Sequence, residues 1–591
     1  MTPEEGFLGV SRSLRGLTWR ARPADERLIA ALAQQLQQPD IVARILAGRG
    51  IGLEEAERFL APSLKQALPD PSVLTDMDRA VERLARALEN GEQVAVFGDY
   101  DVDGATSSAL LIRYFRKLGR DLQLYVPDRM LEGYGPNTGA MQRLRAQGVD
   151  LVVTVDCGIA AFEPLAAARE IGLEVIVVDH HQAQPALPEA AAVVNPNRLD
   201  DDSGLGTLAA VGVVFLLLIA LNRRLRQSGW FAGEGSEPDL LRLLDLVALG
   251  TVCDVAPLTG LNRVLVAQGL KVIAARRNAG IAALADQARV KQRPGAGDLG
   301  FQLGPRVNAG GRVGRADLGA RLLASDDPQE AAVLAEQLDG YNQERQAIEA
   351  EVLRQAQAQA EGQGGTDGPL ILVGDEGWHA GVVGIVAGRL KDRYNRPTIV
   401  ISYDGRLGKG SGRSVPGVDL GAAITAARQA GLLEGGGGHA MAAGLSLQRD
   451  RETALGEFLS ARIAASLGET PGPGDLRLDG ALAPGGATRS LCETIQAAGP
   501  FGVGHAEPRF ALPDVTVAKA DRVGTNHVRL FLRGRDGGRL KAIAFRVADE
   551  PLGQGLLRHE GRPLHVAGRL QPDDWAGGEA VQFLVEDAAW A

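Results

Sequence analysis

The stretch QVAVFGDYDVDGATSSALLIRYFRKLG (93–119) decides the fold class. It begins with a short apolar run, turns through glycines and aspartates, and ends in a segment whose apolar residues recur at helical spacing. A strand, a turn and a helix in that order form the repeating unit of a parallel α/β sheet. The stretch therefore predicts an α/β domain.

Similar units follow along the chain. The apolar runs LQLYVP (122–127), DLVVTVD (150–156) and LEVIVVD (173–179) are separated by segments of helical pattern. This alternation predicts a doubly wound parallel sheet with helices on both faces. Ligands of such sheets bind outside the carboxyl ends of the strands. Three of these strands end directly in Asp or His, so we expect a site at that edge.

The rest of the chain divides where its pattern changes. Residues 327–361 are charged and rich in Ala and Gln, which is typical of a long connecting helix. A second α/β pattern follows, then a segment with the composition of a linker, GETPGPGD (468–475), then short apolar segments between Gly-rich turns. The predicted parts are an N-terminal helical extension (1–75), an α/β domain (76–325), a connecting helix (326–362), a second α/β domain (363–468) and a β-barrel or sandwich (475–591).

The composition is that of a soluble protein with several domains. The 591 residues exceed one hydrophobic core, and 45% hydrophobic and 23% charged residues are ordinary values. Three widely spaced cysteines favour a reducing cytoplasm and argue against a structural zinc site. The N-terminal residues lack the layout of a signal peptide. The apolar run at 208–221 is shorter than the roughly 20 residues of a membrane span, which predicts a buried helix and no membrane partner. The net charge of -10 does not decide for or against nucleic acid, because binding depends on where charges cluster.

The turn GDYDVDG (98–104) carries three aspartates at alternate positions: Asp99, Asp101 and Asp103. Carboxylates this close repel one another unless cations neutralise them. Mg²⁺ and Mn²⁺ prefer such oxygen ligands. A solvated acidic turn is one alternative. A calcium loop is another, but it needs a Glu about six residues after its Gly, where this chain has Leu110.

Further acids and imidazoles end other elements. Asp179, His180 and His181 follow the strand IVV, and adjacent His side chains point in different directions, so one can bind metal while the other faces substrate. Asp156 and Asp254, taken alone, are typical of helix or turn caps. Together these side chains form a mixed oxygen and nitrogen set that suits two Mn²⁺ or Mg²⁺ ions. Paired ions about 3.5–4 Å apart support phosphoryl transfer.

Four motifs resemble those of the DHH phosphoesterase superfamily, in the same order. They are GDYDVDG (98–104), VVTVDCG (152–158), VVDHH (177–181) and GTVCDV (250–255). GGGGHAMAAG (435–444) resembles the substrate-binding DHHA1 domain. Four further stretches are similar to the RecJ family of single-strand-specific exonucleases, the last leading into its OB-fold: GPRVNAGGRVG (304–314), GWHAGVVGIVAGRL (377–390), SGRSVPGVDL (411–420) and PFGVGHAEPRF (500–510). That family usually has Asn where this chain has His505.

The resemblance assigns roles to the acidic and His residues. It implies one metal ion held by Asp103, Asp156, His180 and Asp254. A second ion would use Asp101 and Asp156, with Asp99 as an optional ligand, so that Asp156 bridges the two. His181 would face the substrate or handle a proton. Smaller phosphatases of the superfamily have His at the position of Phe97, which implies that the second site here is weaker and fills with substrate.

The second half of the chain supplies candidate phosphate contacts. The glycines at 435–438 leave backbone N–H groups accessible and His439 adds a donor, although a flexible loop is the alternative. The Arg and Ser stretches predict phosphate pockets or, equally, surface turns, and His379 with Trp378 could line a nucleotide groove. The predicted substrate-binding residues are Arg306, Asn308, Arg312, His379, Ser411, Arg413, Ser414, Gly436, Gly437, Gly438 and His439. An OB-fold would add stacking, but its aromatics are few: Phe531, Phe545, Trp575 and Phe583.

The function implied by the resemblance is 5′-to-3′ exonuclease action on single-stranded DNA. Such an enzyme releases 5′-mononucleotides in recombination and repair, works as a monomer, and acts beside single-strand-binding protein and a helicase. A 5′-phosphate pocket would set polarity, and a narrow channel between the α/β domains would exclude duplex. Two alternatives stay open. One is another DHH enzyme for pyrophosphate, polyphosphate, short RNA or cyclic dinucleotides, against which Phe97 and the β-rich tail argue. The other is a non-catalytic replication scaffold, against which the intact Asp and His set argues.

Overall fold

A computed structural model describes residues 6–129, 131–232, 236–290, 293–362, 368–467, 474–573 and 578–591. The predicted linker at 468–475 lies almost wholly outside these residues, and Trp575 lies outside them too. No helix in the described ranges is long and apolar enough to cross a membrane. The apolar run at 208–221 instead forms most of a buried helix of 18 residues, as the sequence predicts.

The N-terminal part is mainly helical, but a short 3-10 turn (Phe7–Gly9) and a strand, β1 (Thr18–Ala21), precede its α-helices. Its first three helices pack together through a small apolar core that includes Ile29, Leu32 and Leu46. The helices are α1 (Glu26–Leu36), α2 (Asp40–Ala47), α3 (Leu53–Leu60) and α4 (Leu64–Ala67).

The first α/β domain contains a five-stranded parallel sheet in the order β3-β2-β4-β5-β6. The prediction of a doubly wound sheet is confirmed, and one short strand, β6, was not predicted. Strands are β2 (Val94–Gly98), β3 (Gln123–Tyr125), β4 (Leu151–Val155), β5 (Glu174–Val178) and β6 (Ala192–Val194). Helices between and around them are α5 (Met77–Asn90), α6 (Val102–Lys117), α7 (Thr138–Ala146), α8 (Phe162–Glu170) and α9 (Ala210–Gln227).

Both faces of this sheet are buried, which explains why its strands are continuous apolar runs. Val94 and Val96 face the larger core with α5, α6 and α9, whereas Ala95 and Phe97 face the core with α7 and α8. Phe97 is fully buried and its ring stacks 5.1 Å from that of Tyr125.

A helical layer completes the first domain and leads to the second. The predicted connecting helix is α16 (Pro328–Gly362), 35 residues long. A five-residue π-helical turn, Leu299–Leu303, precedes α14. The other helices are α10 (Leu244–Cys253), α11 (Gly260–Ala274), α12 (Ala279–Gln287), α13 (Ala296–Asp298), α14 (Gly304–Val313) and α15 (Leu318–Ala324).

The second α/β domain has a mixed sheet in the order β10-β11-β9-β8-β7, in which only β7 and β8 run parallel. Its elements are β7 (Ile371–Glu376), α17 (Val383–Tyr394), β8 (Thr398–Asp404), β9 (Leu407–Arg413), α18 (Leu420–Gln429), β10 (Gly435–His439), β11 (Ala442–Gln448) and α19 (Glu452–Leu467).

The C-terminal domain is a closed five-stranded barrel, consistent with an OB-fold. Strands run in the order β14-β15-β16-β18-β17, and β14 also pairs with β17. The elements are β12 (Asp475–Leu478), β13 (Gly480–Ala481), α20 (Arg489–Ala497), β14 (Phe510–Val523), β15 (His527–Arg533), β16 (Arg539–Ala544), α21 (Pro551–Leu557), β17 (Leu564–Pro572) and β18 (Val581–Trp590). Phe583 is buried in the barrel, whereas Phe531 and Phe545 are exposed.

The two ends of the chain meet on the barrel. Strand β1 pairs in parallel with β12. Trp19 in β1 is fully buried, and its Nε1 donates a hydrogen bond to Asp587 in β18 at 2.9 Å. The first residues therefore pack against the C-terminal domain, while the helical extension at 1–75 stays a prediction as a domain.

Candidate active site

The predicted metal ligands meet at the carboxyl edge of the first sheet. Asp99 follows β2, Asp156 follows β4 and Asp179 follows β5. The chain leaves β2 for β3 on one side and then returns past β2 to β4 on the other. Connections that leave in opposite directions open a crevice at this switch point, where doubly wound sheets bind their ligands.

Asp101 begins helix α6. Its Oδ1 accepts hydrogen bonds from the backbone N–H groups of Asp103 and Gly104, at 2.9 and 3.1 Å, as a helix N-cap does. A Cβ at Gly104 would lie 2.3 Å from the carbonyl oxygen of Asp99. Glycine is therefore required for the strand end and the helix start to touch, and this contact keeps the three aspartates of the turn together.

Asp103 is fixed by a helix from a distant part of the chain. Its Oδ2 and Oδ1 accept hydrogen bonds from the backbone N–H groups of Ala210 and Val211 at the start of α9, at 2.6 and 2.9 Å. The positive end of a helix dipole favours a carboxylate at this position. Asp103 is thereby held rigidly while fully buried.

His180 presents its ring nitrogens to three carboxylates. Nε2 lies 3.2 Å from Asp156 Oδ1 and 3.9 Å from Asp103 Oδ2, and Nδ1 lies 3.9 Å from Asp254 Oδ2. Within the described part of the chain, Nε2 is buried without a hydrogen-bond partner. Burial also lowers the pKa of His180, which favours a neutral ring with a lone pair. A lone pair facing carboxylate oxygens suits metal binding.

Three overlapping sets of side chains place their ligand atoms within 4.8 Å of one another. Asp156 belongs to two of these sets, as a bridging ligand would. Asp99, optional by resemblance, belongs to one, and its Oδ1 is a buried atom with no hydrogen-bond donor among the described residues. The sets are Asp103, His180 and Asp254; Asp156, His180 and His181; and Asp99, Asp101 and Asp156.

These carboxylates cannot all be charged without added cations. Burial, and then repulsion from Asp101, raises the pKa of Asp99 and of Asp156 well above the usual range. Burial and repulsion from neighbouring aspartates likewise raise the pKa of Asp103 to about 7 and of Asp254 to about 9. Divalent cations would neutralise this repulsion. The oxygen-rich donor set with imidazole therefore fits two Mn²⁺ or Mg²⁺ ions.

Asp179 orients the site and lies outside the ligand sets. It is fully buried and accepts hydrogen bonds from the backbone N–H groups of Ile159, His180 and His181. It also lies 2.8 Å from His181 Nδ1. Burial lowers the pKa of His181, but this hydrogen bond and the charge of Asp179 outweigh burial and raise it to about 9. Asp179 thus engages Nδ1 of His181, and the role of His181 towards substrate stays a prediction.

Tyr134 is a site residue that the sequence analysis missed. Its hydroxyl donates to the carbonyl oxygen of Asp156 at 3.0 Å and lies 3.4 Å from His181 Nδ1. Asp156 has a φ of 60°, a left-handed conformation that is uncommon outside glycine. Tyr134 therefore supports the strained backbone of Asp156, the predicted bridging ligand. The available signal was an aromatic residue between two glycines, Gly133 and Gly135, in a loop after β3.

Asp254 ends helix α10 in a turn that contains an unusual residue. Val255 has a φ of 61°, and the backbone N–H of Ala256 donates to Thr251 O at 3.2 Å. This is the Schellman helix end, whose left-handed position normally holds glycine. A β-branched residue there costs on the order of 1–3 kcal/mol and persists only where surrounding structure imposes it.

A group of arginines faces the metal ligands. Arg129, Arg312 and Arg413 have no carboxylate within 4.0 Å among the described residues; Arg312 donates to Gly381 O at 3.0 Å and Arg413 to Ser411 at 3.1 Å. Burial, then repulsion from Arg129 and other arginines, lowers the pKa of Arg312 to about 10, while Asp101 opposes this. Half-buried guanidinium groups without a carboxylate partner favour an anion. The group therefore fits a phosphate beside the metal ligands, and Arg129 was not predicted.

Arg306 and Arg312, both predicted phosphate contacts on α14, have different surroundings. Arg306 is bound by Asp339 of α16 at 2.7 Å and by Gln302 O, so its charge is already neutralised and it does not join the arginine group. Asn308 and Arg312 are one helical turn apart and share a face. The predicted cluster is therefore divided, because residues six apart on a helix point in different directions.

The second domain corrects three further expectations. Ser414 is buried, and its hydroxyl donates to Val418 O at 2.8 Å, so it is not available to a phosphate. Trp378 is buried and donates to Gln355 at 2.6 Å, so it does not line a groove. The glycines at 435–438 form the edge strand β10 rather than a loop, because a helix packs closely against them: a Cβ at Gly436 would lie 3.0 Å from Ile424 of α18.

The remaining predicted substrate contacts are not excluded by burial or by an ion pair. Ser411 accepts a hydrogen bond from Arg413 Nη1 at 3.1 Å on β9, so these two lie together. His379 Nδ1 accepts from the backbone N–H of Gly381, the residue whose carbonyl binds Arg312. His439 is exposed at the end of β10. Among the strands of the described residues, β10, with Gly437 and Gly438, is paired on one side only. All of these stay predictions as substrate contacts.

Three protein-family models match the chain. They are described as the DHH family N-terminal domain, over residues 93–251; the DHHA1 domain, over 367–465; and the RecJ OB domain, over 478–587. Each range lies inside one of the predicted parts, while the boundaries between the parts stay predictions.

Characterised relatives match over nearly the whole length. The single-stranded-DNA-specific exonuclease RecJ of Escherichia coli (strain K12) is 38% identical over 96% of this chain and 98% of its own. The protein of the same name from Bacillus subtilis (strain 168) is 32% identical over 97% of this chain and 71% of its own.

Solved structures agree with the fold. RecJ from Thermus thermophilus in complex with Mn²⁺ superposes with a TM-score of 0.79 at 31% identity, covering 96% of this chain and 79% of the other. The Mg²⁺ complex of that protein gives a TM-score of 0.75 at 30% identity, covering 97% and 78%.

Proposed function

Because this chain belongs to the RecJ family of DHH phosphoesterases, we propose that it is an exonuclease that degrades single-stranded DNA from the 5′ end. It is a metal-dependent hydrolase that would release 5′-mononucleotides, in DNA recombination and repair. The observation that carries the proposal is a set of buried candidate metal ligands beside arginines that have no carboxylate partner among the described residues.

The donor atoms suit two Mn²⁺ or Mg²⁺ ions. One ion would be held by Asp103, His180 and Asp254 with Asp156, and the other by Asp156 with Asp101 and Asp99. When bound, such a pair supplies hydroxide at neutral pH and neutralises charge on the phosphate oxygens.

The protein's own groups would position the DNA and handle a proton. His181, held through Nδ1 by Asp179, would present Nε2 to the scissile phosphate or to the leaving 3′-oxygen. Arg312 and Arg413, with Ser411, would bind the terminal 5′-phosphate and so place the first phosphodiester bond at the metals. A pocket for the terminal phosphate would explain polarity, because only a 5′ end supplies it.

Strand selectivity and partners are proposed from the family resemblance. A channel between the α/β domains would admit one strand, and the barrel would hold the strand further from its end. We propose that the protein acts as a monomer in the cytoplasm, with single-strand-binding protein and a helicase. Sedimentation of the purified protein and co-purification with each partner would test these points.

One assay tests the activity. A 5′-labelled single strand, the matching duplex and pyrophosphate are each incubated with the protein and Mn²⁺. We expect labelled mononucleotide from the single strand, little from the duplex and no phosphate from pyrophosphate. Cleavage of pyrophosphate alone would assign the chain to another DHH activity, and no turnover of any substrate would favour a scaffold.

A further inference from the structure

The loop that follows Asp254 packs against the C-terminal domain. The backbone N–H of Leu258 donates to Val503 O at 2.7 Å. A Cβ at Gly502 would lie 2.7 Å from Leu258 Cδ1, and a Cβ at Gly504 would lie 3.2 Å from Pro257 Cβ. The turn at 500–505, which leads into the barrel, therefore packs directly on the loop between α10 and α11.

This turn is itself anchored firmly. Arg263 of α11 is buried and donates through Nη2 to Ala498 O at 3.1 Å and to Gly499 O. Its guanidinium lies 3.6 Å from the ring centroid of Phe59 in the N-terminal part. His505 Nε2 lies 2.8 Å from the same Ala498 O. Contacts from three parts of the chain thus hold the turn against the loop.

The loop needs such support at one position. Val255, next to the metal ligand, occupies the left-handed position of a helix end and is 62% exposed. Its own side chain makes little packing that could hold the strained backbone. Ala256 beside it is buried in the core of the first domain, and Asn262 donates to Pro257 O at 3.1 Å. The contacts of Pro257 and Leu258 with the turn add support from the C-terminal domain.

We propose that the turn at 500–505 is a positioning element for Asp254: through Leu258 and the strained Val255 it sets the placement of this carboxylate and so the affinity of the first metal site. The C-terminal domain then acts on the metal centre as well as on DNA. The inference rests on the metal site proposed above.

Matched glycine substitutions test it in the full-length protein. Gly504 has a φ of 72° and contacts the loop, whereas Gly561 has a φ of 73° and would meet nothing within 4 Å. Gly504→Ala and Gly561→Ala therefore carry the same backbone penalty, but only Gly504→Ala disturbs the contact between the turn and the loop. Calorimetric titration with Mn²⁺ should show binding about tenfold weaker in Gly504→Ala, as for loss of a supporting contact, and unchanged in Gly561→Ala.

Two further variants separate the loss of the contact with the loop from the backbone strain at Gly504. Gly502→Ala disturbs Leu258 without a left-handed backbone and should weaken Mn²⁺ binding in the same direction. Val255→Gly removes the strain and should restore affinity to Gly504→Ala. Wild-type Mn²⁺ affinity in both Gly504→Ala and Gly502→Ala would overturn the positioning role. Absence of Mn²⁺ binding in the unaltered protein would instead refute the metal site itself.

Discussion

His180 Nε2 and Asp156 Oδ1 lie 3.2 Å apart in the interior without forming a hydrogen bond. Buried polar atoms at this distance normally share a proton. Two ligands at right angles around an ion of the size of Mg²⁺ are about 3 Å apart. The pair is therefore arranged as two ligands of one ion, and Asp156 is the member that also reaches the second set.

Asp156→Ala should reduce cleavage of single-stranded DNA by at least about a thousandfold, because it removes a ligand from both ions and metal catalysis supplies several kcal/mol. DNA binding, measured by fluorescence anisotropy without metal, should change little. Asp121→Asn, an exposed aspartate, is the matched control. Turnover within tenfold of the unaltered protein would refute the bridging role.

Arg413→Gln should raise the KM for a 5′-phosphorylated strand by about tenfold or more, because a charge-assisted contact contributes roughly 1.5–3 kcal/mol. The KM for a 5′-hydroxyl strand should change much less, since that end has no terminal phosphate to bind. Arg428→Gln, on the exposed side of α18, controls for lost charge. Equal effects on both strands would mean that Arg413 binds an internal phosphate.

The first sheet could be predicted because its information is local. The runs that form β2, β4 and β5 are apolar throughout, as strands buried on both faces must be. Parallel strands bring their carboxyl ends to one edge, so acids at three strand ends had to meet. This rule also places Asp156 in the site, although alone it was typical of a cap.

The differences arise where tertiary contacts decide. No strand pattern marks the glycines of β10, which form a strand because α18 packs against them. Strand β1 depends on β12, more than 450 residues away, so no local signal existed. Arg306 and Arg312 look alike in sequence, and only the position of Asp339 separates the paired arginine from the unpaired one.

Tyr134→Phe should lower kcat by roughly tenfold while Mn²⁺ affinity stays within about threefold, because one neutral hydrogen bond contributes about 1 kcal/mol. The lost hydroxyl holds the Asp156 backbone and contacts His181, but it is not itself in a ligand set. Single-turnover kinetics at saturating Mn²⁺ measures the change. A purely thermal destabilisation with unaltered kcat would contradict a role at the site.

Phe531→Ala should weaken binding of a long single strand by roughly 1–3 kcal/mol, the contribution of stacking one base on an aromatic ring. Phe531 is 40% exposed on β15, between Lys519 and Lys541 on the neighbouring strands, and both lysines are paired with aspartates, so its ring is the group left to stack on a base. Trp590→Ala removes an equally exposed aromatic as the control. Cleavage of a strand too short to reach the barrel should be unaffected, and a loss there would argue for misfolding.

His505→Asn should make the free energy of unfolding fall less steeply as the pH is lowered into the mildly acidic range. Burial lowers the pKa of His505 to about 4, whereas an unfolded chain has the ordinary value near 6.5. Above pH 6.5 both states are neutral and the shift has no effect. Below it the unfolded state binds the proton first, so stability falls by up to about 3 kcal/mol as pH drops towards 4.

Urea unfolding between pH 4.5 and 7.5 in the presence of a chelator measures this slope. Asn can still donate to Ala498 O but does not titrate, so the variant should lack the histidine's share of the slope even if lost packing against Phe501 lowers its stability at pH 7. Parallel pH profiles for His505→Asn and the unaltered protein would show that His505 is protonated equally in both states, which its burial between Phe59 and Phe501 opposes.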